Sequence, residues 1–464
     1  MKILLVNPNI KRKIGKSLRA SPSLPPMGIS YLAAVLRKER HDVKILDMNA
    51  LNMQPLEIIG YLKIFSADVV GFSVTCPAIY RVFKMAEKIK EIYPDTTIIL
   101  GGPHPSSLPE ESIEKKFVDF VIMGEGEQTI LELIKEIEGK KRFASVEGIA
   151  FQKNGKVLYT AKRERICDLD SLPFPAIDLL PLERYKSNET KYSKFMTILT
   201  SRGCPGKCNY CNKQVFGDCC LMRSAENIIK EIEFLIKKYG YREFHIVDDL
   251  FTNDRKRIVK FCNMVIDRKL NIKWKCGNGV RVGSVDLELL KLMKKAGCYS
   301  LGFGIESGSQ QILNNMKKGQ TLEQCENAVR WAKKAGINTV GFFMLGNLGE
   351  DEKTMQETID FAKKIDVDIA QFMILTPYPK TPIREVIEKE GKIFENNWEN
   401  YGQLGGVAIF EHGKLKKELM EKMYKKAYKE FYWRPEYILK RIFRRRTLNE
   451  LKGEINGFLT LIEM

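Results

Sequence analysis

Cys204, Cys208 and Cys211 follow one another as C-x3-C-x2-C in the segment TSRGCPGKCNYCN. Thiolates are metal ligands, and three on one loop suit an iron-sulfur cluster better than an all-protein zinc cage, which requires a fourth ligand. Cys219 or Cys220 could supply that ligand. Structural zinc sites, however, usually pair two ligand dyads, and no second C-x2-C follows here. With three cysteine ligands a four-iron cluster keeps one iron open, and that iron needs a small chelating ligand.

The elements that must position this loop read as an alternation of strands and helices. FMTILT (195–200) leads into it, followed by EFHIV (243–247), IKWKC (272–276), YSLGFGI (299–305), TVGFFML (339–345) and AQFMIL (370–375), with helical stretches between. Ser224 reads as a helix cap, and Thr321 with Gln324 as a capping box. Six such units predict a partial (β/α)6 barrel over 195–385, with its chemistry on loops at the carboxyl ends of the strands. An earlier alternation spans 1–140, with strands at 2–6, 42–46, 68–73, 96–100 and 118–123 and helices at 28–39, 54–66, 78–93 and 127–138. That order predicts a doubly wound parallel sheet of the α/β class, whose ligand edge lies beyond the strand carboxyl ends. The turns on that edge carry Ser73, Thr75, Gly101, Gly102, His104, Gly124, Glu125 and Gly126, candidates for a ligand held by backbone. No G-x-G-x-x-G opens the first helix, which disfavours a dinucleotide. Residues 141–194 read as a linker with a small hairpin at Asn154-Gly155, and 386–464 as a helical, basic carboxyl-terminal region.

With Tyr210 just before the third cysteine, the C-x3-C-x2-C loop after the first barrel strand resembles the radical S-adenosylmethionine (SAM) superfamily. The resemblance extends over almost the whole chain, because the amino-terminal domain is similar to the cobalamin-binding domain fused to many such enzymes. It implies that Cys204, Cys208 and Cys211 hold a 4Fe-4S cluster and that SAM chelates the open iron, to be cleaved by one electron to a 5'-deoxyadenosyl radical. It further implies that Asp248 and Asp249 meet the SAM amino group, Arg281 its carboxylate, Glu306 in Gly304–Gly308 the ribose or substrate, and Gly346 with Tyr210 the adenine. Glu306 and Asp249 are the implied catalytic residues. A helix N-cap is the plain alternative for Asp248 and Asp249, as is capping or ion pairing for Glu306. Two departures stand out: Gly346-Asn347-Leu348-Gly349-Glu350 replaces Gly-x-Pro-Gly-Glu, and Lys380 stands where glycine is common. No Asp-x-His-x-x-Gly motif surrounds His41, His104, His245 or His412, so cobalamin is expected without a histidine ligand.

The implied function is methylation of an unreactive carbon or phosphorus centre, one SAM giving the radical and another recharging cobalamin. The alternatives are a radical cyclase, oxidase or lipid-modifying enzyme without methyl transfer, and an RNA-modifying or RNA-binding iron-sulfur protein. The RNA methylthiotransferases carry three more cluster cysteines in their amino-terminal domain, where this chain has only Cys76, with Cys167 beyond it. Arg434-Pro435-Glu436-Tyr437-Ile438 resembles a segment of the anaerobic magnesium-protoporphyrin ester cyclase and hopanoid-modifying branch, implying a large apolar or lipid-like small-molecule substrate. An electron donor such as a ferredoxin or flavodoxin is the implied partner.

Composition bounds these readings. The 464 residues carry 76 Lys and Arg against 58 Asp and Glu, a formal net charge of +18, with 44% apolar positions. No apolar run approaches the roughly 18 residues of a membrane span, and no signal-peptide core follows the amino terminus, so a cytoplasmic protein with reduced thiols is expected. The basic charge is interleaved with glutamate along helices, which favours a solvated surface over nucleic acid. The aromatic and basic carboxyl-terminal stretch, with Lys440, Arg441, Arg444, Arg445 and Arg446, could pack on the barrel or make a peripheral membrane contact.

Overall fold

A computed structural model of the chain describes residues 1–10, 23–187, 190–402 and 406–443. These form two compact units. Arg444, Arg445 and Arg446 lie outside the described residues.

The first unit holds Met1–Ser187 with two short returning segments, Lys213–Gly217 and Asn397–Tyr401. Its strands are β1 (Lys2–Asn7), β2 (Asp42–Asp47), β3 (Val69–Ser73), β4 (Thr97–Gly101), β5 (Phe120–Ile122), β6 (Ile149–Lys153) and β7 (Lys156–Tyr159), in the sheet order β2-β1-β3-β4-β5-β6-β7. β1 to β5 are parallel, in the order expected of a doubly wound sheet, and their apolar runs are continuous because helices cover both faces. Leu4, Val6, Val70, Phe72, Ile98 and Leu100 form the core with Val82 and Ile89 of the helix Ile79–Ile92.

The hairpin at Asn154-Gly155, both with positive φ, is β6 and β7; it pairs antiparallel to β5 and so extends the sheet. The proline-rich stretch that reads as a linker is also part of this unit, which reaches Ser187 where the sequence suggests an end near 140. Prolines hold the stretch extended, and it wraps back through hydrogen bonds from Ala176 N to Ser30 O (3.0 Å) and from the Tyr185 hydroxyl to Asp47 (2.8 Å), and through the Arg37–Asp178 ion pair.

The second unit contains β8 (Met196–Ile198), a short antiparallel ribbon of β9 (Ser201–Arg202) and β10 (Leu221–Met222), then β11 (Glu243–Ile246), β12 (Lys273–Val280), β13 (Cys298–Glu306), β14 (Asn338–Leu345) and β15 (Ile369–Ile374). β8 and β11 to β15 form one parallel sheet in sequential order, the partial barrel expected. Ser224 accepts from Asn227 N, and Thr321 with Gln324 makes the capping box. Asp254, not Asp248 or Asp249, caps the helix Arg255–Asp267 by accepting from Arg257 N (3.2 Å).

An open parallel sheet leaves two edges of unpaired N–H and C=O groups, here β8 and β15. The basic helix Lys417–Tyr432 closes the β15 edge. Tyr428 accepts from Phe372 N (3.3 Å) and donates to Phe372 O (3.1 Å); four residues on, Tyr432 accepts from Ala370 N (3.1 Å) and donates to Ala370 O (2.8 Å). One tyrosine per helical turn therefore matches alternate residues of the strand. Packing on the barrel is thus what this helix does, through buried Met420, Met423, Tyr424, Ala427 and Phe431. Several basic side chains of this region are paired, Lys422 with Glu352 and Lys440 with Asp366.

The loop after β14 is closed by Glu350, 2% exposed, whose Oε2 accepts from Gly346 N (2.6 Å) and Asn347 N (2.8 Å). Its Oε1 and the Asn347 Oδ1 are buried without a hydrogen-bond partner. Burial pushes the Glu350 carboxyl up to about 8 against those backbone hydrogen bonds.

Two outcomes follow for stability. Replacing Tyr428 and Tyr432 by Phe should each speed hydrogen exchange at Phe372 and Ala370 about tenfold, the loss of about 1.4 kcal/mol of edge hydrogen bonding, measured by mass spectrometry or NMR. Because Glu350 has a raised folded pKa, its contribution is fully present below the ordinary carboxyl value of 4.5 and is lost as pH rises through about 8. Glu350→Gln keeps the two backbone acceptor contacts and should gain thermal stability relative to wild type as pH is raised from about 5 to about 9. A difference in melting temperature independent of pH would contradict this.

Candidate metal centre and cofactor edge

Gly203, with φ +83°, turns the chain out of β9 into the cysteine loop, and its N–H donates to the exposed Asp249 carboxylate (2.9 Å). The loop is pinned further on: Asn209 N donates to Met316 O (3.1 Å), the Asn209 amide to Asn315 O (3.1 Å), and the Asn212 amide to Pro379 O (2.7 Å). These contacts bring the sulfurs together. A Cβ added to Gly206 would lie 3.3 Å from Cys204 Sγ and 3.8 Å from Cys208 Sγ, and the Gly206 N–H points at Cys204 Sγ (3.4 Å). Cys208 and Cys211 share a hydrogen bond, which together with Lys318 pulls the Cys208 thiol down to about 6 against burial and leaves Cys211 the protonated partner.

Among the described residues no three ligating side chains close on a single ion. Two sulfurs beside Gly206 and a third hydrogen-bonded to one of them, too spread for a single ion, fit a cluster that brings its own inorganic core. Cys220 instead turns its thiol to Leu250 O (3.7 Å), which weakens the zinc alternative.

A residue not singled out from the sequence organises the site. The Lys318 ammonium donates to Glu306 Oε1 (2.6 Å) and to the Tyr210 hydroxyl (3.1 Å). Burial alone would lower its pKa, but the charges of Glu306 and Cys208 outweigh that and raise it, so the cation is firmly held. Burial and the Glu306 charge push the Tyr210 phenol well above its ordinary range, so it stays neutral. Glu306 reaches the site because β13 ends in a bulge, where Glu306 takes φ +67°, rare for a residue with a side chain. Ser307 and Gly308 meanwhile lock onto Thr358, and Gly304 must lack a side chain, since a Cβ there would meet Glu306 Oε1 at 2.7 Å and Lys318 Nζ at 2.8 Å.

The other expected residues take supporting positions. Arg281 grips the loop that carries Lys318, its Nη2 donating to Lys318 O (3.1 Å) and Gly319 O (2.8 Å). Asp248 is buried and saturated, accepting from Thr200 N (2.6 Å), Thr200 Oγ1 (2.5 Å) and Ser201 Oγ (2.6 Å), so it ties β11 to β8. Gly346, with φ +87°, would meet Met420 Sδ at 2.7 Å if it carried a Cβ.

On the edge of the first unit, the loops after β3 and β4 are zipped together: Val74 N donates to Gly101 O (2.7 Å) and His104 N to Val74 O (3.1 Å). Gly102 (φ +99°) is required for that approach, as a Cβ would meet Val74 N at 2.9 Å. Ser73, exposed Thr75, Gly101 and Gly124 remain along the rim, and the Ser73 and Thr75 hydroxyls have no protein partner among the described residues. Gly126 lies against Leu32, and Glu125 is buried, accepting from Ile166 N (3.0 Å). His104 is 0% exposed, enclosed edge-on by Trp398 (5.5 Å between rings), whose indole N–H donates to Glu111 (2.9 Å). His41 pairs with Glu138 and His104 is enclosed, so a corrin ring meeting this rim would meet backbone and hydroxyls. That suits a cobalamin held without a histidine ligand.

The comparisons agree with this geometry. A B12 binding domain matches residues 18–134 and the Radical SAM superfamily residues 198–362. An uncharacterised methyltransferase of Pyrococcus horikoshii is 35% identical over 99% of this chain and 98% of its own length. Cytidylyl-2-hydroxyethylphosphonate methyltransferase of Streptomyces wedmorensis is 30% identical over 76% of each chain, and anaerobic magnesium-protoporphyrin IX monomethyl ester cyclase of Rubrivivax gelatinosus is 29% identical over 85% of this chain and 71% of its own. In fold, the chain is similar to the cobalamin-dependent SAM radical enzyme OxsB, solved with aqua-cobalamin and SAM bound, at a TM-score of 0.76 and 20% identity, covering 99% of this chain and 72% of that one. With a B12-binding and a radical SAM module in sequence, and a methyltransferase relative matched end to end, the chain belongs to the cobalamin-binding radical SAM family, whose cofactors are a 4Fe-4S cluster, SAM and cobalamin.

Proposed function

We propose that this chain methylates an unreactive carbon or phosphorus centre of a small molecule. The observation that carries the reading is the approach of Cys204 and Cys208 to Gly206, with Cys211 hydrogen-bonded to Cys208, beside the Lys318–Glu306 pair, on a chain that also has a glycine-lined rim in its first unit. When bound, the cluster and SAM supply a carbon-centred radical and cobalamin supplies the methyl group to be transferred.

The residues of the chain contribute binding, orientation and charge. Cys204, Cys208 and Cys211 would hold the cluster as thiolates, with an iron left for SAM. Lys318, held by Glu306 and by the Arg281 grip on its loop, offsets their negative charge and keeps an N–H donor at the Tyr210 hydroxyl. Glu306, bonded to Lys318, and the exposed Asp249, bonded to Gly203 N, are the carboxylates that would meet a polar ligand at the cysteine loop, whereas the saturated Asp248 acts on the protein itself. On the first unit, the Ser73 and Thr75 hydroxyls and the Gly101–Gly102 backbone would hold the cofactor. The relationship to ester cyclases favours one second reading, radical ring formation without methyl transfer. A peripheral membrane contact draws support from exposed Trp433, Leu439 and Phe443 beside Lys440 and Arg441.

Anaerobic reconstitution with iron, sulfide and cobalamin, followed by methyl-labelled SAM and a reductant, should yield 5'-deoxyadenosine and labelled methylcobalamin. Replacing Cys204, Cys208 and Cys211 by Ala should bring 5'-deoxyadenosine to the level of a protein-free control. If it persists, the cluster assignment fails; if it forms but no label reaches cobalamin, ring formation is the better reading. Lys318→Met strands the buried Glu306 charge and should destabilise the second unit by about 3 kcal/mol in urea unfolding, with the Glu306→Gln, Lys318→Met pair recovering much of that loss.

A further inference from the structure

The two faces of the second unit's sheet differ at the β14–β15 pair. Phe343 and Phe372 are buried and stacked, 5.2 Å between rings, and Phe372 lies against Tyr428 of the covering helix Lys417–Tyr432. Phe342 and Gln371, each next to one of them in the chain, therefore point to the opposite, concave face of the partial barrel, where both are half-buried. The register sets them in one row, because Gly304 of β13 pairs with Phe342, and Phe342 pairs with Gln371. The place that a Gly304 side chain would take is filled by the Lys318–Glu306 pair, since a Cβ there would meet Glu306 Oε1 at 2.7 Å and Lys318 Nζ at 2.8 Å. Lys318 also donates to Tyr210 on the cysteine loop (3.1 Å), so the row starts beside the candidate metal centre.

Gln371 differs from the other glutamines of this unit. Among the described residues its amide has no hydrogen-bond partner, whereas Gln310, Gln320 and Gln356, the other glutamines there that are buried or half-buried, are all bonded. A half-buried amide in mid-strand, inside a barrel, has a donor and an acceptor to offer a ligand. No ring is stacked on Phe342 among the described residues, and its own ring reaches over Gly302, where a Cβ would meet Phe342 Cε2 at 2.8 Å and collide with Gly277 O. Bare backbone thus flanks the ring. Neighbouring strands lie about 4.8 Å apart, so the row from the ion pair over β13 to Gln371 on β15 is about 10 Å long, the span of two or three fused rings.

We propose that Phe342 and Gln371 select the substrate, and that the substrate is a flat heterocycle carrying an N–H beside a C=O, as in a lactam. This rests on the reading of the chain as a small-molecule methyltransferase and deepens it, favouring carbon over phosphorus as the acceptor. Phe342 stacks on the face of the heterocycle, while the Gln371 amide donates to its C=O and accepts from its N–H. Only a ligand with both groups on one edge completes that pairing. Lys318, the cation beside the row, is already matched by Glu306, so a phosphonate would find its countercharge taken. Both residues are positioning residues, which choose and orient what lies next to the metal centre.

Saturation-transfer NMR on the reconstituted full-length enzyme, with quinolin-2-one and its N-methyl analogue as probes, tests the row directly. Wild type should bind quinolin-2-one about tenfold more tightly than the N-methyl analogue, which lacks the donor. Gln371→Leu should weaken quinolin-2-one about tenfold and erase the difference between the probes without lowering the melting temperature, which separates a lost contact from lost folding. Phe342→Leu should weaken both probes about fivefold, while Phe342→Tyr stays within about twofold of wild type. A wild type that binds neither probe or both equally, a preference that survives Gln371→Leu, or displacement of the probe by SAM would each overturn the proposal. Formation of 5'-deoxyadenosine and labelled methylcobalamin by wild type reports on methyl transfer separately. If neither forms but the probe preference holds and is lost in Gln371→Leu, the methyl-transfer reading fails and the ligand assignment stands; if both form and the preference is absent, only the ligand assignment fails.

Discussion

The cysteine loop must be held in place beside a buried counter-charge in a partly desolvated setting, and much of the second unit's polar architecture answers to that constraint. The offsetting cation is Lys318, and it is useful only if it cannot swing away. Glu306 and Tyr210 hold its ammonium, and Arg281 holds its carbonyl and that of Gly319 after it. The loop itself hangs from β8, which is only three residues long and pairs on one side, to β11. Carboxylates at the two ends of β11 make up for that short ladder. Glu243 accepts from Lys191 N (2.8 Å) and Tyr192 N (2.7 Å) before β8, and Asp248 and Asp249 accept from Thr200, Ser201 and Gly203 after it. Charged acceptors taking several N–H and O–H donors are strong enough to hold an edge strand in register.

The first unit meets a different demand, the presentation of backbone to a large flat ligand. Its glycines divide by what surrounds them. Gly102 and Gly126 are small so that neighbouring loops and helices can close on them, while a Cβ at Gly101 or Gly124 would meet its nearest neighbours only at 3.8 Å. His104 stands among them in sequence yet is fully enclosed by Trp398, which arrives from the far end of the chain. A cofactor at this rim therefore has hydroxyls and peptide groups to meet, and the absence of a histidine motif in the sequence and the enclosure of His104 tell the same physical story.

Strand and helix positions, and the parallel character of both sheets, were legible in the sequence because each depends on local pattern: apolar runs of strand length and caps such as Ser224 and Thr321. Lys318 was not legible. Nothing in its neighbourhood of lysines and asparagines marks it, and its role arises when the loop after Asn315 folds back on Tyr210. Arg281 and Asp248 were visible as polar residues at strand ends, but whether such a side chain faces a ligand or the protein's own backbone is decided by partners fifty or so residues away. The stretch beyond 140 misled for a related reason. Proline signals extended chain, and extended chain can join two bodies or strap one; the hydrogen bonds from Tyr185 to Asp47 and from Ala176 to Ser30 make it a strap.

Backbone strain separates positions that serve the fold from those that serve the site. Several residues with side chains adopt positive φ, and for most the local motif accounts for it: Asn154 in the tight hairpin, and Ser66 and Asp366 at helix ends. Glu306 has no such motif. It follows a bulge between two parallel strands, where continuing the strand regularly would turn its carboxylate away from Lys318. A cost on the order of 1 kcal/mol in backbone conformation is small beside that of leaving Lys318 a buried cation without a counter-charge, about 3 kcal/mol or more. The strained residue at the end of β13 is therefore the cheaper of the two arrangements, and it explains why the segment Gly304–Gly308 needs glycine on either side of Glu306: one to admit the ion pair, the other to let the chain turn against the helix Glu352–Ile365.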